Sequence, residues 1–82
     1  MVIGMTAPIS LDVLPPGKKA VITSLQNEPH MRLRLSEIGF TPASVVECLY
    51  RSAMGDPTAF WVRGAVIALR AEDSGKILVL PC

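Results

Sequence analysis

Arg32-Leu33-Arg34-Leu35-Ser36-Glu37-Ile38-Gly39-Phe40-Thr41-Pro42 decides how the rest of the chain is read. Met31, Leu35 and Ile38 recur at i, i+4 and i+7, the spacing of one helical stripe. Leu33 lies off that stripe and widens the apolar surface. Upstream, Asn27 is the expected N-cap, Glu28 suits the positive end of the helix dipole, and Pro29 is tolerated in a first turn. Downstream, Gly39 supplies the left-handed residue that ends a helix, and Pro42 prevents its resumption. Arg34 and Glu37, at i and i+3, are spaced to pair weakly on the helix surface. The segment reads as one short helix with a defined stop.

On both sides the pattern is that of short strands. The β-branched run Ala20-Val21-Ile22-Thr23-Ser24-Leu25 predicts a strand before the helix. After it, Ser44 to Tyr50 alternates, with Val46, Cys48 and Tyr50 on one side and Val45, Glu47 and Leu49 on the other. Ala53-Met54-Gly55-Asp56-Pro57 is a loop rich in turn formers, with Asp56 expected to bond its own turn. Thr58–Val62 and Ala65–Leu69 flank Arg63-Gly64, a two-residue hairpin connection in which Gly64 can take positive φ. Ala71 to Gly75 suits a single helical turn, and Lys76 to Leu80 a closing strand. Nearer the N-terminus, Leu11-Asp12-Val13-Leu14 is a brief apolar element halted by Pro15-Pro16-Gly17. Residues 1–10 are expected to be a flexible leader and 11–82 a single domain: mainly β, about five strands closing a small barrel or sandwich, with one short helix inserted after the first strand.

The bulk composition narrows the function. Of 82 residues, 50% are apolar and only 18% charged, so a core this small cannot hide every apolar side chain. Outward-facing apolar residues are either scattered singly or gathered into a partner site. Phe60 and Trp61 are adjacent on a strand and must face opposite sides; the exposed one is a hot-spot candidate. A net charge of +1 from eight interspersed basic and seven acidic residues leaves no stripe to follow a phosphate backbone, which argues against nucleic acid as a partner. No apolar run approaches the ~20 residues of a membrane span. The N-terminus lacks the basic region and apolar length of a signal peptide. Two widely spaced cysteines, Cys48 and Cys82, make no disulfide framework and favour a reducing cytoplasmic setting.

Catalytic and cofactor chemistry finds no support. His30, the sole imidazole, reads as a solvent-facing residue at the helix start, and a Cys–His pair would need Cys48 or Cys82 beside it. Cys48 reads as a buried structural thiol, and a zinc site would need more ligands than these three residues supply. No glycine-rich phosphate cradle occurs. The acidic residues are dispersed over different elements, so no enzyme, catalytic residue, cofactor or metal site is expected.

Arg34-Leu35-Ser36-Glu37-Ile38-Gly39-Phe40-Thr41-Pro42, then Gly55-Asp56-Pro57, Gly64 and Ile67-Ala68-Leu69-Arg70, with Ile77 and Val79 downstream, resemble the ferrous iron transport protein A (FeoA) family over roughly residues 11 to 80. The resemblance implies an SH3-like β-barrel with a helix after its first strand. It also implies a cytoplasmic accessory of ferrous iron uptake, peripheral to the membrane. Its partner would be the membrane ferrous iron transporter, whose cytoplasmic part is a GTPase. Ala43 departs from the usual Gly after the proline, and Ser74 from a common Ala. The alternative is a metal-responsive regulatory module, since the same barrel is similar to the C-terminal domain of metal-dependent repressors. The candidate partner-binding residues are Arg32, Arg34, Glu37, Phe40, Met54 and Trp61, and weak self-association is left open.

Overall fold

The β-branched and alternating segments pair into one antiparallel sheet, seen in a computed structural model that describes residues 7–82. Its strands are β1 (Ile9–Ser10), β2 (Lys19–Leu25), β3 (Val45–Arg51), β4 (Thr58–Val62), β5 (Ala65–Leu69) and β6 (Ile77–Pro81). Their order across the sheet is β1-β6-β2-β3-β4-β5. Helix α1 (Pro29–Glu37) joins β2 to β3, and the single turn α2 (Ala71–Ser74) joins β5 to β6. The mainly-β architecture with one short helix after its first long strand is as read from the sequence.

The described residues form six strands rather than about five. The addition is β1, which falls inside the span assigned to a flexible leader: Ile9 pairs with Val79 and Ser10 with Leu78. Leu11 and Leu14 of the following 3₁₀ turn are fully buried, so the chain is anchored to β6 from residue 9 onward. Residues 1–6 of that leader lie outside the described residues. Arg51 adds a polar tie, its guanidinium donating to the carbonyls of Asp12 and Leu14 at 3.3 Å each.

The helix ends as its sequence dictates but starts one residue late. Gly39, at φ +115°, donates to Ser36 O (3.2 Å), and Phe40 N donates to Leu35 O (2.9 Å). This is the paired-bond left-handed stop that glycine favours, and it brings the apolar side chains of Leu35 and Phe40 together. At the other end Glu28, not Asn27, is the cap: its carboxylate accepts from Met31 N at 2.7 Å. Asn27 is drawn inward instead, and its Nδ2 donates to the Asp73 carbonyl at 3.0 Å. Burial won over capping because the β2–α1 corner packs against α2.

Two local departures have clear causes. Tyr50, grouped with Val46 and Cys48, is exposed, because a register shift between Cys48 and Tyr50 inserts one extra residue and reverses the alternation. Asp56 does not bond within its own turn; its carboxylate accepts from Ala71 N at 2.8 Å and so ties the β3–β4 loop to α2. The hairpin is as expected, with Arg63 at φ +49° and Gly64 at φ +80°.

Ala43 shows what its departure from glycine means. It holds φ +76°, donates to Ile22 O (2.8 Å), and is followed by Ser44, whose carbonyl accepts from Ile22 N (2.9 Å). The turn geometry is kept, at a strain of about 1–2 kcal/mol for an L-residue in the left-handed region. Ala43→Gly removes that strain and loses about 0.5–1 kcal/mol to unfolded-chain entropy. The expected outcome is a net gain of up to about 1.5 kcal/mol and a rise of up to several degrees in Tm by circular dichroism. A lower Tm contradicts it.

Candidate docking surface

Strand alternation places Phe60 fully inside the core and Trp61 on the outer face of the sheet, 45% exposed. Pairing then sets the neighbours of Trp61. Lys19 lies opposite Glu47, Glu47 opposite Trp61, and Trp61 opposite Val66, one row across four strands. Val45 stands beside this row, also exposed. Together with Arg63 and Gly64 of the hairpin, Lys19, Val45, Glu47 and Trp61 line an open groove of about 270 Å³. An indole floor, an aliphatic wall, two cations and one carboxylate fit an apolar anchor with acidic flanks. They offer no nucleophile and no general base within reach of one.

Arg63 fixes one wall of this groove. Its aliphatic stem covers Gly39, where any Cβ would meet the Arg63 Cγ at 3.1 Å. Its guanidinium reaches Ser44 Oγ at 3.4 Å and Thr41 Oγ1 at 3.5 Å. The helix stop and the β4–β5 hairpin are therefore fitted to each other. Sequence reading missed Arg63 because a turn position gives no sign of the distant glycine its side chain will cover.

The six candidate residues do not converge on one site. Trp61 lies in the groove just described. Arg34 lines a second groove of about 280 Å³ between α1 and β5, with Met31, Ile38 and Ile67. Arg32 and Glu37 are exposed on α1, Arg32 donating to the Asn27 carbonyl at 3.4 Å. Met54 is 90% exposed in the β3–β4 loop and lines neither groove. Phe40 is corrected outright: at 0% exposure it belongs to the core, because the bond from its own N–H to Leu35 O turns the chain inward.

A sequence profile of the FeoA domain matches residues 9–81. The chain belongs to the FeoA family. Solved structures agree. The FeoA protein of Chlorobium tepidum is 27% identical with a TM-score of 0.85, over 89% of this chain and 70% of that one. Stenotrophomonas maltophilia FeoA, solved with zinc and described as a prokaryotic SH3 domain protein and candidate ferrous iron transport activating factor, is 28% identical at TM-score 0.76, over 93% and 89%. A manganese-dependent transcriptional repressor shares the fold at 16% identity and TM-score 0.83, over 98% of this chain and 45% of that one. No curated protein matches. Membership links this FeoA-family chain to ferrous iron transport.

The zinc in the Stenotrophomonas protein prompts a test of the donors here. Among the described residues no three His, Cys, Asp or Glu side chains gather into a metal-holding group. His30 and Cys82 are exposed, whereas Cys48 is enclosed between β2 and β4. Among the described residues no helix is long and apolar enough to cross a membrane.

Burial also sets the thiol chemistry. Enclosure in the core pushes the Cys48 thiol above its ordinary range, with Arg51 lowering it and Glu47 raising it by smaller amounts. The thiolate is the reactive form, so Cys48 should be inert and Cys82 reactive. A thiol-specific chromogenic reagent at neutral pH is expected to titrate one thiol in the native protein and two in denaturant. Two rapid native thiols contradict the burial of Cys48.

Proposed function

We propose that this chain is a non-enzymatic, cytoplasmic accessory of ferrous iron uptake. It docks on the cytoplasmic, GTPase-bearing part of the membrane ferrous iron transporter and assembles or regulates it. The observation that carries the docking mode is the half-exposed Trp61 at the floor of a groove walled by Val45, Lys19, Glu47 and Arg63. Aromatic side chains in desolvatable pockets dominate interface energetics, while charged rims steer and orient. Family membership supplies the iron-transport setting. The partner element is an apolar or aromatic side chain flanked by acidic groups, which would meet Lys19 and Arg63. Arg32, Arg34, Glu37 and Met54 remain secondary contacts on separate faces.

The test is co-purification with the detergent-solubilised ferrous iron transporter, with and without guanine nucleotide. Stoichiometric retention in at least one nucleotide state is expected. No association in any state contradicts the proposal.

A further inference from the structure

The sheet has one long edge that nothing in the described chain covers. Among the described residues β5 pairs only with β4, whereas the opposite edge, β1, is two residues long. The two-residue loop makes Val62 and Ala65 a hydrogen-bonded pair, so Trp61·Val66 and Ala59·Ala68 are non-bonded pairs in the unbroken register. The N–H and C=O groups of Val66 and Ala68 therefore point away from β4. No backbone bond elsewhere among the described residues uses them. Proteins normally protect such an edge with a Lys, a Pro, a bulge or an inward charge. Ala65-Val66-Ile67-Ala68-Leu69 carries none of these.

We propose that β5 pairs with β5 of a second copy of this chain, antiparallel about a two-fold axis at Ile67. This goes beyond the transporter-docking reading and does not depend on it, since the Trp61 groove lies on the sheet face rather than its edge. Two observations select a second copy over another strand. The first is register. Centring on Ile67 sets Val66 opposite Ala68 of the second copy and Ala68 opposite Val66, so the four outward groups of each strand meet their complements.

The second is the inner side of the edge. Ile67 is half-buried and adjoins the groove formed with Met31 and Ile38, the latter 43% exposed. In the paired arrangement Ile67 of each copy enters the groove of the other. The contact involves only five residues per strand and a pair of isoleucines. It buries less than the ~1,200 Å² of stable complexes, so the dimer is weak and concentration-dependent.

Val66 and Ala68 are exposed on the outer face, so charging them leaves the core untouched. The register sets these two positions opposite each other across the axis, which makes a charge-swap diagnostic. Sedimentation equilibrium of the full chain up to millimolar concentration is expected to show its mass rising from 8.8 kDa toward twice that value. Like charges directly opposite repel, so the doubles Val66→Lys/Ala68→Lys and Val66→Glu/Ala68→Glu are each expected to bind themselves at least tenfold more weakly. An equimolar mixture of the two is expected to restore the dimer. Amide spectra unchanged outside β5 confirm that each variant is folded. A wild-type chain that stays monomeric at millimolar concentration overturns the proposal, as does association of either double at wild-type strength. So does protection of the Val66 and Ala68 amides that appears only when the transporter's cytoplasmic part is added, which would assign the edge to a different strand.

Discussion

Phe40→Ala lowers the stability of the domain by about 3–5 kcal/mol, the range for truncating a fully buried aromatic ring. The size follows from what the ring does. It is wholly enclosed, it is among the largest side chains of the core, and it sits three residues past Glu37, the last residue of α1, at the position that clamps the left-handed stop. Truncation leaves a cavity and also removes the apolar contact with Leu35 that accompanies that stop. A domain of 82 residues has roughly 4–12 kcal/mol of total stability at 0.05–0.15 kcal/mol per residue, so this one truncation removes from about a quarter to all of it. Urea denaturation should show a large fall in midpoint with an unchanged slope. Leu33→Ala on the exposed helix face should stay within about 0.5 kcal/mol of wild type. A loss below 1 kcal/mol at Phe40 would refute its core assignment. Any binding defect of that variant therefore reports lost structure, not a lost contact.

The same residue shows where sequence reading stops. Everything about α1 that depends on local chemistry was legible: the i, i+4 spacing, the glycine stop, the proline that prevents continuation. Whether the residue after the glycine points in or out depends on which carbonyl its N–H finds, and no periodicity carries that. Asn27 and Glu28 make the same point at the other end, since both can cap and only the packing of α2 decides between them. Strand alternation placed Phe60 and Trp61 on opposite faces correctly. It failed at Tyr50, because a bulge at Leu49 leaves no signature in side-chain type. The groove around Trp61 was invisible in sequence for a related reason. Lys19, Glu47, Trp61 and Val66 are distant in the chain and become one row only through the registers of three strand pairs.

That row makes Trp61→Ala the decisive substitution for docking. Binding to the transporter's cytoplasmic part is expected to weaken by about 2–4 kcal/mol, or roughly 30- to 1,000-fold in Kd, the effect of truncating a central aromatic anchor. The fold is expected to survive, because the indole rests on the outer face and no core residue loses its cover. Neighbouring charges should act differently. Lys19 and Arg63 on the groove rim face water in the free chain, so their loss should slow association and flatten the salt dependence more than it speeds dissociation. Arg34→Ala, on the other groove, should leave Kd within about a factor of two, because an exposed charge away from the contact contributes little. The intact protein offers a direct optical check. Trp61 is the only tryptophan, and its half-exposed ring should shift its emission to shorter wavelength as a partner displaces water from the groove. If Arg34→Ala abolishes binding while Trp61→Ala binds normally, docking belongs to the α1–β5 groove. The Trp61 row would then be only a solvated sheet face with one aromatic residue.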